Sequence, residues 1–326
     1  MRYSPLVVCL LAACSSPASS SSDPDAAPGA DGGSDSGSGA DGGASHITTV
    51  FVLPFENKSS TQIYGDTTDA PYLNSLFTRG AHATMFQDEL PSLPSEPHYL
   101  WMEAATNAFS DRTFTTDADA SKTNSTASTD HLVNQLEAAG VPWVSYQEGI
   151  TTHTCPITTN GNYVAKHDPF VFFKDVSGAT PSAGTARCAD HHKSYADFAT
   201  DLAAGMTGYV FITANVCHEM HGGLTCPSFF DTAANIQAGD AWLGTEMPRL
   251  LAYTDSHREA IILLVWDEGD TNNLIPFLAL GSHVKPGYVS NTVYTHSALV
   301  ASVQDWFGVP RFAADASSVS FSDLLQ

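Results

Sequence analysis

Basic residues are scarce in this chain of 326 residues: 13 Lys and Arg stand against 35 Asp and Glu, a formal net charge of −22. Nucleic-acid binding needs a basic footprint, so that partner class is excluded. The same acidity disfavours any phosphate-rich polymer, but a bound cation would still allow a small phosphate-bearing molecule. Long apolar runs are missing too. The stretch 6–11 near the N-terminus is far short of the about 20 apolar residues that span a bilayer. Residues 15–45 contain no aromatic or branched aliphatic side chain, only Ser, Gly, Ala, Asp and Pro. Nothing there offsets the entropy of ordering, so a flexible tether is expected.

With Arg2 before it, the short apolar stretch has the form of an export signal, and residues 1–13 are expected to be removed. Leu11-Ala12-Ala13-Cys14 resembles the lipobox of bacterial lipoproteins. That resemblance implies a lipidated Cys14 followed by a linker over 14–45, with a lipid anchor as the only tie to a membrane. Ser15 after the cysteine resembles lipoproteins sorted to an outer membrane.

From 46 to 326 the composition is that of a folded protein, with no second low-complexity boundary and no repeat. One domain, acting as a monomer, is expected. Once Cys9 and Cys14 are set aside, Cys155, Cys188, Cys217 and Cys226 remain, an even number in an oxidising compartment. Two disulfides are expected. Three pairings are open, with the short Cys217/Cys226 loop plus Cys155/Cys188 preferred. A zinc site built from His218, Glu219 and His221 with Cys217 and Cys226 is the alternative, but a metalloprotease helix needs its histidines four apart, and here they are three apart.

Apolar, β-branched runs at 47–53, 141–146, 209–213, 260–266 and 275–280 read as buried strands. Helical patterns lie between them at 71–79, 130–139, 195–204, 231–253 and 296–306. Asp130 and Asp231 are the expected N-caps, and Gly140 the helix stop. This alternation predicts an α/β fold, a mainly parallel sheet with helices on both faces, with ligands beyond the carboxyl ends of the strands. Two strand ends run straight into acids: Glu56-Asn57 after the first, Asp267-Glu268 after the run 260–266. If those strands are neighbours, four oxygen donors converge as a hard divalent cation requires; otherwise they are solvated turn residues. The folded region has no G-x-S-x-G elbow, which argues against a Ser-His-Asp esterase.

The stretch 48–65, TTVFVLPFENKSSTQIYG, resembles the opening Glu-Asn-x-Ser motif of the bacterial phosphoesterase family. That family holds acid phosphatases and non-haemolytic phospholipases C, within the alkaline phosphatase superfamily. In the family's order follow the APYLNSL of 70–76, Pro94-Ser95-Glu96-Pro97-His98-Tyr99, Ala165-Lys166-His167-Asp168-Pro169-Phe170, 215–221, Trp266-Asp267-Glu268-Gly269 and Tyr294-Thr295-His296-Ser297. The resemblance implies an alkaline-phosphatase-like three-layer sandwich and a metal-dependent hydrolase of small phosphate esters. It implies Glu56, Asn57, Asp267 and Glu268 as ligands of a divalent cation of unknown identity, and Ser95 as nucleophile. His221 and His296 would contact phosphate or shuttle protons, and Lys166, His167 and Glu219 would border the substrate. Ser92 competes with Ser95, but only Ser95 keeps the Ser-x-Pro-polar-Tyr spacing, ahead of a helix expected from about Leu100. Departures from the pattern include Lys58 for His or Arg, His98 for Asn and Ala105 for Gly. Phospholipase-C-type diester cleavage and a non-enzymatic, ligand-binding surface lipoprotein are the alternatives.

Overall fold

The computed structural model describes residues 47–326; the expected signal peptide, Cys14 and the 14–45 linker lie outside the described residues. Within 47–326 the strands are β1 (Thr49–Phe55), β2 (Ala81–Phe86), β3 (Trp143–Gln147), β4 (His192–Ser194), β5 (Gly208–Thr213), β6 (Ala260–Trp266), β7 (Phe277–Gly281) and β8 (Tyr288–Tyr294). They form one sheet in the order β4-β3-β5-β1-β6-β7-β2-β8. β7 is antiparallel to β6 and β2, whereas the other pairs are parallel. The sequences of β1, β5 and β6 have no polar alternation, and every residue in them is buried. Such strands need cover on both faces, and the helices of the α/β fold supply it. Truncating Ile262 or Leu263, both fully buried, to Ala would cost about 2–5 kcal/mol.

The expected strands and helices are present, with shifted ends. Helix Tyr195–Ala204 has the expected bounds, Thr232–Ser256 runs beyond 253, and Pro71–Leu76 stops short of 79. The helix expected near Leu100 begins at Ser95 and runs to Ala104. Asp231 caps its helix, accepting from the Ala234 N–H at 3.1 Å. Asp130 does not: helix Leu132–Ala138 follows His131, and the Asp130 side chain makes no cap bond. The reason is tertiary, since the His131 ring is held between Glu103 and Asp175 and fixes where the helix starts. Gly140 follows that helix at φ +75°, a left-handed turn that glycine adopts without steric cost.

Three strands have no counterpart in the sequence reading. β4 and β8 are the sheet edges, and β8 buries only Ser290 and Tyr294 of its seven residues. An edge strand needs no continuous apolar run, so it gives no such signal. The disulfides are Cys155–Cys188 and Cys217–Cys226, the preferred pairing; the second commits both cysteines of the zinc alternative. Among the described residues no helix is long and apolar enough to cross a membrane.

Candidate active site

β1 and β6 are parallel neighbours with Phe55 opposite Trp266. The Asp267 N–H donates to the Phe55 carbonyl at 2.9 Å, so Glu56 and Asp267 leave the sheet side by side at its carboxyl edge. On the other side of β1, the loop after β5 returns Glu219, whose carbonyl accepts the Glu56 N–H at 2.8 Å. Two non-glycine residues here are left-handed, Asn57 at φ +44° and Met220 at φ +76°. Each costs on the order of 1 kcal/mol, and each re-aims the chain beside a buried carboxylate. Gly269 closes the turn after Glu268: a Cβ there would lie 2.0 Å from the Asn272 carbonyl oxygen.

Two groups of possible ligand atoms result, Glu56 with His167 and Glu219, and His98 with Asp267 and Glu268. In the first group His167 Nε2 lies 3.1 Å from Glu56 Oε1 and Nδ1 lies 2.9 Å from Glu219 Oε1. The distances suit hydrogen bonds but the angles do not, and these nitrogens, Glu56 Oε1 and both Glu219 oxygens are buried without a hydrogen-bond partner. Asp267 Oδ2 is in the same condition. Buried polar atoms are normally satisfied, and donors that face each other without bonding fit a cation between them. The Asn57 amide lies 2.7 Å from Glu56 Oε2 and 3.3 Å from Asp267 Oδ1. With its nitrogen turned toward them the amide donates to both, and the opposite orientation offers its oxygen to a cation instead.

Ser95 stands between the two groups. It is the first residue of its helix and is buried, whereas Ser92 is exposed. Ser95 Oγ donates to Glu56 Oε2 at 3.0 Å, lies 3.4 Å from Glu268 Oε1, and accepts from Lys166 Nζ at 3.3 Å. The His167 ring is stacked on Tyr99, one turn further along the same helix, with centroids 4.9 Å apart. That contact ties the orientation of the imidazole to the element that carries Ser95.

Burial and crowding raise the acids. Burial pushes Glu219 up to about 8; burial with the charge of Asp267 lifts Glu268 to about 8. Burial and the charge of Glu56 hold Asp267 well above the ordinary carboxylate range, and burial raises Glu56 against the pull of His167. Too little positive charge is present for all four to ionise at neutral pH, which a divalent cation would remedy. His98 opposes that trend in part. Its nitrogens face only acceptors, Asp88 Oδ1 at 2.8 Å and the Pro94 carbonyl at 2.9 Å, so both donate. Burial alone would lower it; the Asp88 bond and the charge of Asp267 bring it to about 9.

His296 is buried and donates through Nε2 to the Trp266 carbonyl at 2.9 Å, immediately before Asp267. Burial and the charge of His98 depress it to about 4, so the ring is neutral. The half-buried His221 ring lies 6.1 Å from that of His167, with Nδ1 donating to the Gly222 carbonyl at 2.8 Å. The fold therefore brings together Glu56, Asn57, Ser95, Lys166, His167, Glu219, Asp267 and Glu268. His221 stands beside this group and His296 behind it. Sequence reasoning marked His98 only as a departure and missed its partner Asp88, which no local pattern distinguishes.

Buried acids, a helix-borne serine and a lysine thus meet at the carboxyl edge of this α/β sheet. The sequence profile of the Phosphoesterase family matches residues 69–310, and the chain belongs to that family. It is 25% identical over 277 residues to the phosphatidylinositol-3-phosphatase of Mycobacterium tuberculosis, covering 84% of this chain and 82% of that one. It is 29% identical over 192 residues to the phosphate-repressible acid phosphatase of Penicillium chrysogenum, spanning 55% of this chain but only 42% of the fungal protein. Among solved structures, a protein of the alkaline phosphatase superfamily from Vibrio parahaemolyticus superposes with a TM-score of 0.54 at 13% identity, over 82% of this chain and 69% of its own. The phosphonate monoester hydrolase of Silicibacter pomeroyi gives the same score and identity over 86% and 76%. At such identity these two speak for the fold alone.

Proposed function

We propose that this phosphoesterase is a metal-dependent phosphomonoesterase whose Ser95 accepts the phosphoryl group. The position of Ser95 Oγ carries the reading, in contact with Glu56, Glu268 and the Lys166 ammonium at once. Glu56, Asn57, Asp267 and Glu268 would hold a divalent cation, with His167 and Glu219 extending the donor set on the far side of Glu56. The unpartnered buried oxygens and nitrogens of Glu56, Glu219, His167 and Asp267 support that fit. When bound, such a cation lowers the pKa of a nearby hydroxyl and polarises a phosphoryl oxygen.

The chain's own residues do the rest. Glu56 Oε2 is the hydrogen-bonded acceptor for the Ser95 proton. Lys166 Nζ sets a positive charge beside Oγ, where the oxygens of a transferring phosphoryl group gather, and the helix start adds the positive end of its dipole. His221, with Nδ1 committed to Gly222, keeps Nε2 for proton exchange with the leaving alcohol. His296 acts through Trp266, holding the strand end that presents Asp267. Ser95 Oγ would bond to phosphorus as the bond from phosphorus to the alcohol oxygen breaks, and water would then hydrolyse the phosphoserine, releasing inorganic phosphate and restoring the Ser95 hydroxyl.

The names of the relatives, a phosphatidylinositol-3-phosphatase and an acid phosphatase, support a monoester as substrate. A panel of chromogenic phosphate monoester, phosphate diester and sulfate ester tests this: the monoester should turn over fastest, and a preference for the diester or the sulfate refutes it. The two disulfides fit an exported protein. We also propose a lipid anchor on Cys14, with residues 46–326 as the single phosphoesterase domain. Cys14→Ala should move the protein from the membrane to the soluble fraction at unchanged specific activity, and retention on the membrane refutes the anchor.

A further inference from the structure

We infer that Asp117 is the residue that sets the nucleophile, holding with one carboxylate both the helix start, at the Glu96 amide, and the cationic partner of Ser95; this rests on Ser95 as nucleophile. The helix that starts at Ser95 has Pro94 in the cap position, and Pro94 has no side-chain acceptor for the first amides. Four N–H groups at a helix start lack intrahelical partners, and an acceptor must come from elsewhere. Asp117, 22 positions after Ser95 in a segment without regular structure, supplies it: Oδ1 accepts the Glu96 N–H at 3.1 Å. The exchange is reciprocal. Glu96 Oε2 accepts the Ala118 N–H at 2.7 Å, and Glu96 Oε1 accepts from Asn124 Nδ2 at 3.0 Å. The segment and the first helical turn are thus locked by bonds in both directions, a capping arrangement made across the fold and not along the chain.

The second oxygen of Asp117 faces Lys166. Nζ lies 2.5 Å from Asp117 Oδ2 and 3.3 Å from Ser95 Oγ. A lysine is a point charge on a four-carbon stem with many rotamers, and alone it would not dwell beside a serine oxygen. The Asp117 side chain is one-third exposed and that of Lys166 17% exposed, so the pair borders the pocket without being sealed in it. The hydrogen bonds of Asp117 go to the Glu96 amide and Lys166, not to Glu56, His167 or Glu219, and it acts on the reaction through Lys166 and through the helix start. It is therefore a positioning residue. It also explains why Lys166 points at Ser95 although the two lie 71 residues apart.

Asp117→Asn keeps an oxygen for the Glu96 amide and removes the charge that holds Lys166. In the metal-loaded enzyme with para-nitrophenyl phosphate, this variant should lose 10- to 100-fold in kcat with its melting temperature nearly unchanged. Lys166→Met should lose at least as much. The double variant should be no slower than Lys166→Met, because Asp117→Asn keeps an oxygen for the Glu96 amide and no ammonium is left to hold. Multiplying losses in the double variant, or wild-type kcat in Asp117→Asn, overturns the inference. Crystal structures of the wild type and Asp117→Asn give a readout that needs no turnover: Nζ should lie beyond 3.5 Å from Ser95 Oγ only in the variant. Retention of that contact in the variant overturns the inference by itself. Turnover by Ser95→Ala would instead refute the nucleophile, so the two failures are told apart.

Discussion

Ser95 Oγ and Glu56 Oε2 are 3.0 Å apart across 39 residues of sequence, the one at the start of a helix and the other at the end of the central strand. No other arrangement of the two serines matches it, since Ser92 lies exposed in the preceding turn. Ser95→Ala should abolish turnover, and Ser92→Ala should leave kcat within about two-fold. Quenching the reaction in acid and mapping the phosphopeptide should find the label on Ser95. Phosphate on Ser92 would refute the assignment.

Removing metal should silence the enzyme and loosen its fold. Chelation is expected to abolish activity, with a divalent ion restoring it. A cation at 100 times its dissociation constant contributes about 2.7 kcal/mol to stability, so the stripped protein should melt at a lower temperature. Asp267→Asn should lose activity by orders of magnitude while keeping the metal-free melting temperature. Full activity in a preparation shown by elemental analysis to hold no metal would end the metal-dependent reading.

The Cys217–Cys226 bridge encloses Glu219 and His221. The chain-entropy estimate for so short a loop is about 2–3 kcal/mol. Replacing both cysteines by Ser should lower stability by that amount and lower kcat as well, because the same loop supplies the carbonyl that binds the Glu56 amide. Equal kcat in the variant and the wild type would show that the loop keeps its shape unaided. Thiol titration of the unfolded, unreduced protein lacking Cys14 should find none free.

A separate buried cluster contributes to the dependence of stability on pH. His131 Nδ1 lies 2.9 Å from Glu103 Oε1, and Nε2 lies 3.1 Å from Asp175 Oδ2, with the ring stacked on Phe173. Burial would raise Asp175, but its bond to His131 brings it down to about 2. Burial would lower His131, but its bonds to Asp175 and Glu103 raise it. A depressed acid stabilises above its unfolded pKa and fails as pH falls through the folded one. A raised histidine stabilises below its unfolded pKa and fails as pH climbs through the folded one. Both contributions are complete between about pH 4 and 6.5, the ordinary values of the two groups. Glu103, raised by burial, works against them as pH increases. His131→Ala, which strands Glu103, should cost about 3–5 kcal/mol, with the largest melting-temperature difference from the wild type in that window. A difference independent of pH from 3 to 9 would show that packing on Phe173 outweighs the charges.

Much of the fold was legible because the buried strands write themselves as unbroken apolar runs: a segment such as Ala-Ile-Ile-Leu-Leu-Val-Trp at 260–266 has few other places to go. The same local chemistry marked Glu56-Asn57 and Asp267-Glu268 as acids at strand ends, and Asp231 as a cap. The sequence could not say that β1 and β6 are neighbours, since hydrogen bonding between parallel strands is indifferent to the 200 residues that separate them. Nor could it place β4 and β8, whose edge positions free them from an apolar pattern. Asp130 and Asp117 show the division most clearly. Asp130 has the local look of a helix cap and is not one, because distant carboxylates claim His131 and fix the helix start. Asp117 caps a helix it does not adjoin and holds a lysine 49 residues away. Caps, strand ends and core runs depend on nearest neighbours and can be read along the chain. The meeting of Ser95, Lys166 and Asp117 depends on how whole elements stack, and only the tertiary structure decides it.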